Sequence, residues 1–296
     1  MKCGLTKEFI ENILETITPF QYLSATENVA MNLYSQIRML RPRSVVEFGT
    51  GFTTPFILQA LKDNQDEHRI YQRALKEKAS QFYKQLSDPE RNKYDDIEDW
   101  WADSVTQSVY GSEPILPIPG YYLKDYKPQL FSFEVLPESD EYVKKISQLV
   151  AKLNLESLFT LNAGIRVKDY AKKIPSDFRV IDFAWNDFGN KYRFYTETYK
   201  YLNPNGGMML FHNTTNSEKD FKADLDRVEN SIKPMIQNKQ CEILTFIEPH
   251  KFTQRSMTIL KRIDGFKEEY FENCLDIFDK DMMAMLRQSS GNSFFS

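Results

Sequence analysis

Two glycines one residue apart, Gly49 and Gly51, follow the run Val45-Val46-Glu47-Phe48. Glycine has no Cβ, so a Gly-x-Gly turn lets the backbone approach a ligand closely. The N–H groups of a following helix then point at that ligand. A dinucleotide pyrophosphate needs a third glycine, and Thr54 stands in its place. Glu47 would also repel phosphate, and it suits a cationic ligand with an amino-acid portion. A second acid, Glu134, ends the run Leu130-Phe131-Ser132-Phe133. A carboxylate at the end of a buried strand can accept both hydroxyls of a ribose. A third group lies in Asn186-Asp187-Phe188-Gly189 and His212-Asn213-Thr214. An acid and an imidazole at strand ends can take a proton from an acceptor, so His212 or Asp187 is the expected general base.

The elements that must position these groups follow from periodicity. Residues 7–40 read as helical, with Ser24-Ala25-Thr26-Glu27 in the form of a capping box and Pro42 just past the end. Residues 44–48 form a strand, 49–51 a turn and 53–61 a helix, the first βα unit of a doubly wound sheet. Strands are expected over residues 130–135, 158–161, 180–185 and 207–211, and helices over 140–153, 165–172, 191–201 and 217–236. Residues 242–247 and 256–261 are two strands with only a loop between them, so they pair antiparallel. A final helix is expected over residues 267–287.

The interval 62–129 breaks this alternation. It holds a charged helix at 70–86, then a stretch rich in Pro, Asp, Trp and Tyr, and it is far longer than a plain connection. Tyr94, Trp100, Trp101, Tyr110, Tyr121, Tyr122 and Tyr126 offer amphipathic walls, suited to a lid that keeps water from a reaction or to an interface with a second copy. Tyr22 is a further lid residue.

Taken together, these features resemble the class I S-adenosylmethionine-dependent methyltransferases over residues 24–263, apart from the insertion. Glu47-Phe48-Gly49-Thr50-Gly51 is similar to that family's glycine motif, Glu134 to its ribose-binding acid, and Ser256-Met257-Thr258-Ile259-Leu260 to its last strand. The resemblance implies a Rossmann-like, doubly wound α/β fold whose seven-stranded, mostly parallel sheet ends in an antiparallel strand. Residues 1–43 would form a helical cap, and 44–296 the methyltransferase domain with the lid at 62–129. It implies S-adenosylmethionine as cofactor and S-adenosylhomocysteine as product. Glu47, Gly49, Thr50, Gly51, Phe52 and Thr53 would surround the methionine and ribose portions. Glu134 would hold the ribose, Val135 would pack on the adenine, and Asn162 and Ala163 would face its edge.

The tips at Asp187 and His212 resemble small-molecule O-methyltransferases. In their metal-dependent branch an acid stands where His212 does here. An imidazole there weakens the case for Mg²⁺, a hard ion. A transition metal on Asp187, His212 and Asn213 is the other reading, and the assignment made here is no metal. The expected reaction is methyl transfer to a small molecule. The alternatives are an enzyme that consumes S-adenosylmethionine by intramolecular cyclisation, releasing methylthioadenosine, a nicotinamide oxidoreductase, and a silent binding protein.

Composition bounds these readings. A net charge of −4 and a pI of about 5.6 give no basic footprint for nucleic acid. The three cysteines form no CxxC pair and suit a reducing compartment. The charged N-terminus lacks a signal peptide's apolar run, and no segment reaches the length of a membrane span. These features predict a cytoplasmic protein with no membrane partner.

Overall fold

The computed structural model describes residues 4–18, 26–95, 97, 100, 122, 124–214, 219–251 and 255–265. Helices α1 (Lys7–Thr16) and α2 (Glu27–Leu40) lead into β1 (Ser44–Phe48), α3 (Thr54–Tyr83) and the short α4 (Asp88–Arg91). Then follow β2 (Gln129–Glu134), α5 (Glu141–Lys152), β3 (Phe159–Ala163), β4 (Phe183–Asn186), α6 (Lys191–Thr198) and β5 (Met208–His212). The series closes with α7 (Lys219–Gln237), β6 (Cys241–Ile247) and β7 (Ser256–Arg262). The seven strands form one sheet in the order β3-β2-β1-β4-β5-β7-β6. β7 is antiparallel to both β5 and β6, and the other pairings are parallel. This is the doubly wound sheet with an antiparallel last strand that the pattern predicts.

Each face of the sheet is covered because alternate strand residues point to opposite sides. Val45, Leu130, Trp185 and Leu210 pack against α1, α2, α3 and α5 through residues such as Ile13, Leu33, Ile57 and Ile146. Val46, Phe131, Ala184 and Met209 face α6 and α7 through Phe194, Val228 and Ile232. The chain order reverses at β1, so the carboxyl tips of β1, β2, β4 and β5 frame the crevice where such folds bind ligands. Among the described residues, no helix is long and apolar enough to cross a membrane.

The largest difference from expectation concerns α3. The sequence suggests helices at 53–61 and 70–86, and the structure has one helix of 30 residues. The link between them, Lys62 to Arg69, contains no glycine or proline, and its Asn64 and His68 are buried. The Asn64 amide donates to the Ile37 carbonyl at 2.8 Å, while Arg38 and Arg41 of the α2 end both pair with Glu67. Buried polar contacts with α2 thus carry the helix through a stretch that lacks an apolar period.

At 1.5 Å per residue, α3 spans about 45 Å, whereas the five residues of β1 span about 17 Å. The helix starts at the carboxyl tip of β1 and runs back past the amino end of the sheet. The described insertion aromatics Tyr94, Trp100, Tyr122 and Tyr126 therefore stand at that far end. Trp100 is buried with Leu86 in a small cluster that includes Tyr83 and Tyr94. The Tyr126 hydroxyl donates to the Pro42 carbonyl at 2.8 Å, just before β1, and the Tyr122 ring lies 5.4 Å from that of His68. The expected lid over the crevice is corrected for these four rings, because they pack at the end of the sheet towards which the unbroken α3 runs. Trp101, Tyr110, Tyr121, Tyr22 and the predicted helix at 267–287 lie outside the described residues. So do Ser24 of the expected capping box, Cys3 and Cys274. In the structure, Thr26 caps the start of α2 without a side-chain hydrogen bond.

Candidate functional site

The glycine turn is built around Glu47. This acid does not open onto the crevice: it is fully buried and its oxygens accept three hydroxyl hydrogen bonds. Thr53 donates to Oε1 at 2.9 Å, and Thr54 and Ser132 donate to Oε2 at 2.8 and 2.7 Å. Burial raises its pKa from 4.5 to about 7, against the lowering effect of the three hydroxyls. Thr54, in the place of a third glycine, also accepts from the Gly51 N–H at 2.9 Å. Thr53 accepts from the Trp185 indole on β4 at 3.2 Å. The carboxylate therefore fastens the turn to β1, β2 and β4 together. Gly49 adopts φ +91°, a conformation that costs a side-chain-bearing residue free energy.

Glu134 sits above this network, at the tip of β2. Its Oε2 accepts the Thr50 N–H at 3.2 Å and its Oε1 the Leu136 N–H at 3.0 Å. The Thr50 hydroxyl lies 2.7 Å from Ser132. Ser132 spends its single proton on Glu47, so while Glu47 is ionised, Thr50 is the donor in that pair. A continuous chain of hydrogen bonds thus joins the glycine turn to both acids. Each Glu134 oxygen has one backbone donor, which leaves lone pairs for further hydroxyl donors.

The remaining expected cofactor residues fall into two sets. Val135 is 45% exposed beside Glu134. Asn162 and Ala163 are half-buried on β3 and pair in register with Phe133 and Glu134. Phe52 and Thr53 are buried instead, and the Phe52 ring packs on Phe56 at 5.3 Å. Those two side chains therefore support the turn from beneath.

Across the crevice, β4 and β5 bring Asp187 and His212 together. The Asp187 N–H donates to the Phe48 carbonyl at 3.0 Å, which holds the β4 tip against the glycine turn. His212 is buried at the end of β5, with Nδ1 2.6 Å from Asp187 Oδ1. An ionised carboxylate can only accept, so Nδ1 carries the proton and Asp187 fixes the ring's orientation. Nδ1 is thereby engaged with the acid itself. Asn213, the third residue of the alternative metal reading, has φ 55° and a buried side-chain oxygen without a hydrogen-bond partner among the described residues.

Another cluster, Glu27, Glu248 and His250, brings potential ligand atoms within 4.8 Å of one another. The Lys251 ammonium lies against both of its carboxylates. The group reads as an ionic clasp between α2 and the β6–β7 hairpin.

Two crevice residues escape sequence reasoning. Tyr142 is in the first turn of α5, and its hydroxyl lies 2.8 Å from where a Cβ on Gly51 would be. Burial, with Asp187, Glu134 and Glu47 nearby, pushes its pKa up to about 12, so it stays a donor. Lys191 opens α6 and is buried, and burial lowers its pKa while Asp224 and Asp187 oppose that shift. Both occupy the first turn of a helix that leaves a strand tip, a position that lines the crevice in any doubly wound sheet. Such a place in the fold is the signal that could have found them.

No protein-family model matches the sequence, and no curated protein matches it. Solved structures do resemble it. The O-methyltransferase TomG from Streptomyces achromogenes, involved in tomaymycin synthesis and crystallised with SAM, aligns with a TM-score of 0.53 at 11% identity, over 87% of this chain and 91% of that one. An O-methyltransferase from Bacillus cereus in complex with SAH gives 0.51 at 9% identity, over 88% and 91%. The SAH-bound Podospora anserina methyltransferase PaMTH1 gives 0.51 at 9% identity, over 88% and 89%. At such identities the likeness concerns the fold, and the fold is that of the class I O-methyltransferases.

Proposed function

We propose that this chain is an S-adenosylmethionine-dependent methyltransferase acting on a small-molecule acceptor. The observation that carries the reading is the hydrogen bond from the Thr50 N–H to Glu134. It fastens the glycine turn to the acid that would hold the ribose, so the two walls of a nucleoside site are assembled in advance. The residues fit the cofactor. Glu134 keeps acceptor capacity for two hydroxyls, the positive φ of Gly49 shapes a close backbone approach, and Val135 offers apolar surface to a base. The neighbours bound to SAM or SAH share this fold.

When bound, the sulfonium supplies an activated methyl group. The chain's own tasks are then alignment of the acceptor and removal of its proton. His212, oriented through Nδ1 by Asp187, takes that proton at Nε2. Asp187 stabilises the imidazolium that results. Glu47 keeps the turn rigid without meeting the ligand.

Calorimetric titration with S-adenosylmethionine tests the binding step, and incubation with a panel of small acceptors tests turnover. The reading expects one-site binding and S-adenosylhomocysteine that forms only with an acceptor. Methylthioadenosine formed without one would replace methyl transfer by self-consumption of the cofactor.

A further inference from the structure

A cavity of about 630 Å³ opens at the end of the sheet opposite the crevice. Its wall includes Arg43 before β1, Asp182 before β4, Gly207 before β5 and Lys261 near the end of β7. Lys124 and Tyr126, from the end of the aromatic insertion, close another side with Leu40 and Pro42. That size suits a small organic ligand.

The balance of charges identifies its chemistry. The two acids of the wall already accept from groups of the chain itself. Asp182 accepts the N–H groups of Arg43 and Ser44 at 2.8 and 3.0 Å and the Asn203 amide at 2.8 Å. Asp125 pairs with Lys127 at 2.8 Å, and that contact lowers its pKa. The cations are less committed. Arg43, whose guanidinium lies 5.5 Å from the centre of the Phe178 ring, and Lys124 make no ion pair among the described residues, and Lys261 reaches Glu242 only at 3.5 Å. Arg41 uses Nη2 on Glu67, while its Nη1 is buried without a hydrogen-bond partner among the described residues. Four cationic side chains thus line a partly apolar hollow, and both acids beside them already accept from donors of the chain itself.

We infer that this cavity binds a small phosphorylated organic molecule, with the phosphate held by Arg43 and Lys124 and the organic part against Leu40, Pro42 and Tyr126. Charge-assisted hydrogen bonds from guanidinium and ammonium groups are the recognition such an anion needs. Lys124 and Tyr126 wall the cavity at the end of the sheet towards which the unbroken α3 runs. The site lies at the amino ends of the strands and does not depend on methyl transfer.

Calorimetric titration of the full chain with inorganic pyrophosphate tests this. The expected result is saturable one-site binding, weakened at least about tenfold in Arg43→Ala/Lys124→Ala and unchanged in Glu134→Ala. Both substituted cations are exposed, so folding should survive. If the double variant is nonetheless unstable, Lys124→Glu alone must weaken binding. Absence of saturable binding, equal affinity in the cation variants, or loss of binding in Glu134→Ala would each overturn the assignment.

Discussion

The two ends of the sheet use ionisable groups in opposite ways. At the carboxyl end, acids gather: Glu47, Glu134 and Asp187, each tied to donors that the chain itself provides. At the amino end, basic groups gather: Arg43, Lys124 and Lys261 surround a hollow whose acids are already spoken for. A cationic nucleoside fits the first surface and an anion the second. On the two proposals, the same strands present sites of opposite charge preference, separated by about the length of β1. The glycine turn serves one end, and Lys124 and Tyr126 serve the other.

Four outcomes sharpen or break this contrast. The largest concerns His212. His212→Ala should lower kcat by about 10²- to 10⁴-fold, with the S-adenosylmethionine affinity unchanged, because the loss falls on proton transfer alone. Steady-state kinetics beside calorimetry separates the two, and a parallel loss of affinity would make His212 a binding group.

Glu47 comes next. Its pKa in the folded chain, about 7, lies above the 4.5 of the unfolded one, so the folded state binds the extra proton. The contribution from Glu47 is therefore most favourable below pH 4.5 and is lost as pH rises towards 7, by roughly 3 kcal/mol in all. Glu47→Gln should flatten that part of the stability curve in urea melts across this window. An unchanged slope would mean that the buried carboxylate is not the titrating group.

Glu134→Ala should then weaken S-adenosylmethionine binding about 10- to 100-fold, the cost of hydrogen bonds to a charged acceptor. The smallest effect belongs to the other end of the sheet. Arg43→Ala/Lys124→Ala should leave kcat/KM for methyl transfer within about twofold without added anion, since distant sites act independently. A large loss would couple the two ends.

Much of this could be read from residue order. The strands were legible because burial on both faces leaves apolar runs such as Leu130 to Phe133, and the turn because glycines mark it. The pairing of Asp187 with His212 was foreshadowed by two polar residues closing consecutive strands. What stayed hidden depended on register between strands. Nothing in the neighbourhood of Glu47 announces that Ser132, paired opposite it on β2, turns its carboxylate inward. Thr54 read as a missing glycine, whereas its hydroxyl does the joining. The course of α3 was obscured by the polar residues at 62–69, of which Asn64 is buried against α2 and Glu67 pairs with its arginines, a tertiary effect that overrides local pattern. Tyr142 and Lys191 were invisible for the same reason: only the fold points their helix starts at the crevice.

The most direct measurement is amide hydrogen exchange with and without S-adenosylmethionine. Slowed exchange is predicted at Gly49 to Thr53 and at Val135 and Leu136, with residues 41–43 and 124–126 unchanged. Protection confined to the amino end, or none at the glycine turn, would contradict the placement of the nucleoside across the tips of β1 and β2.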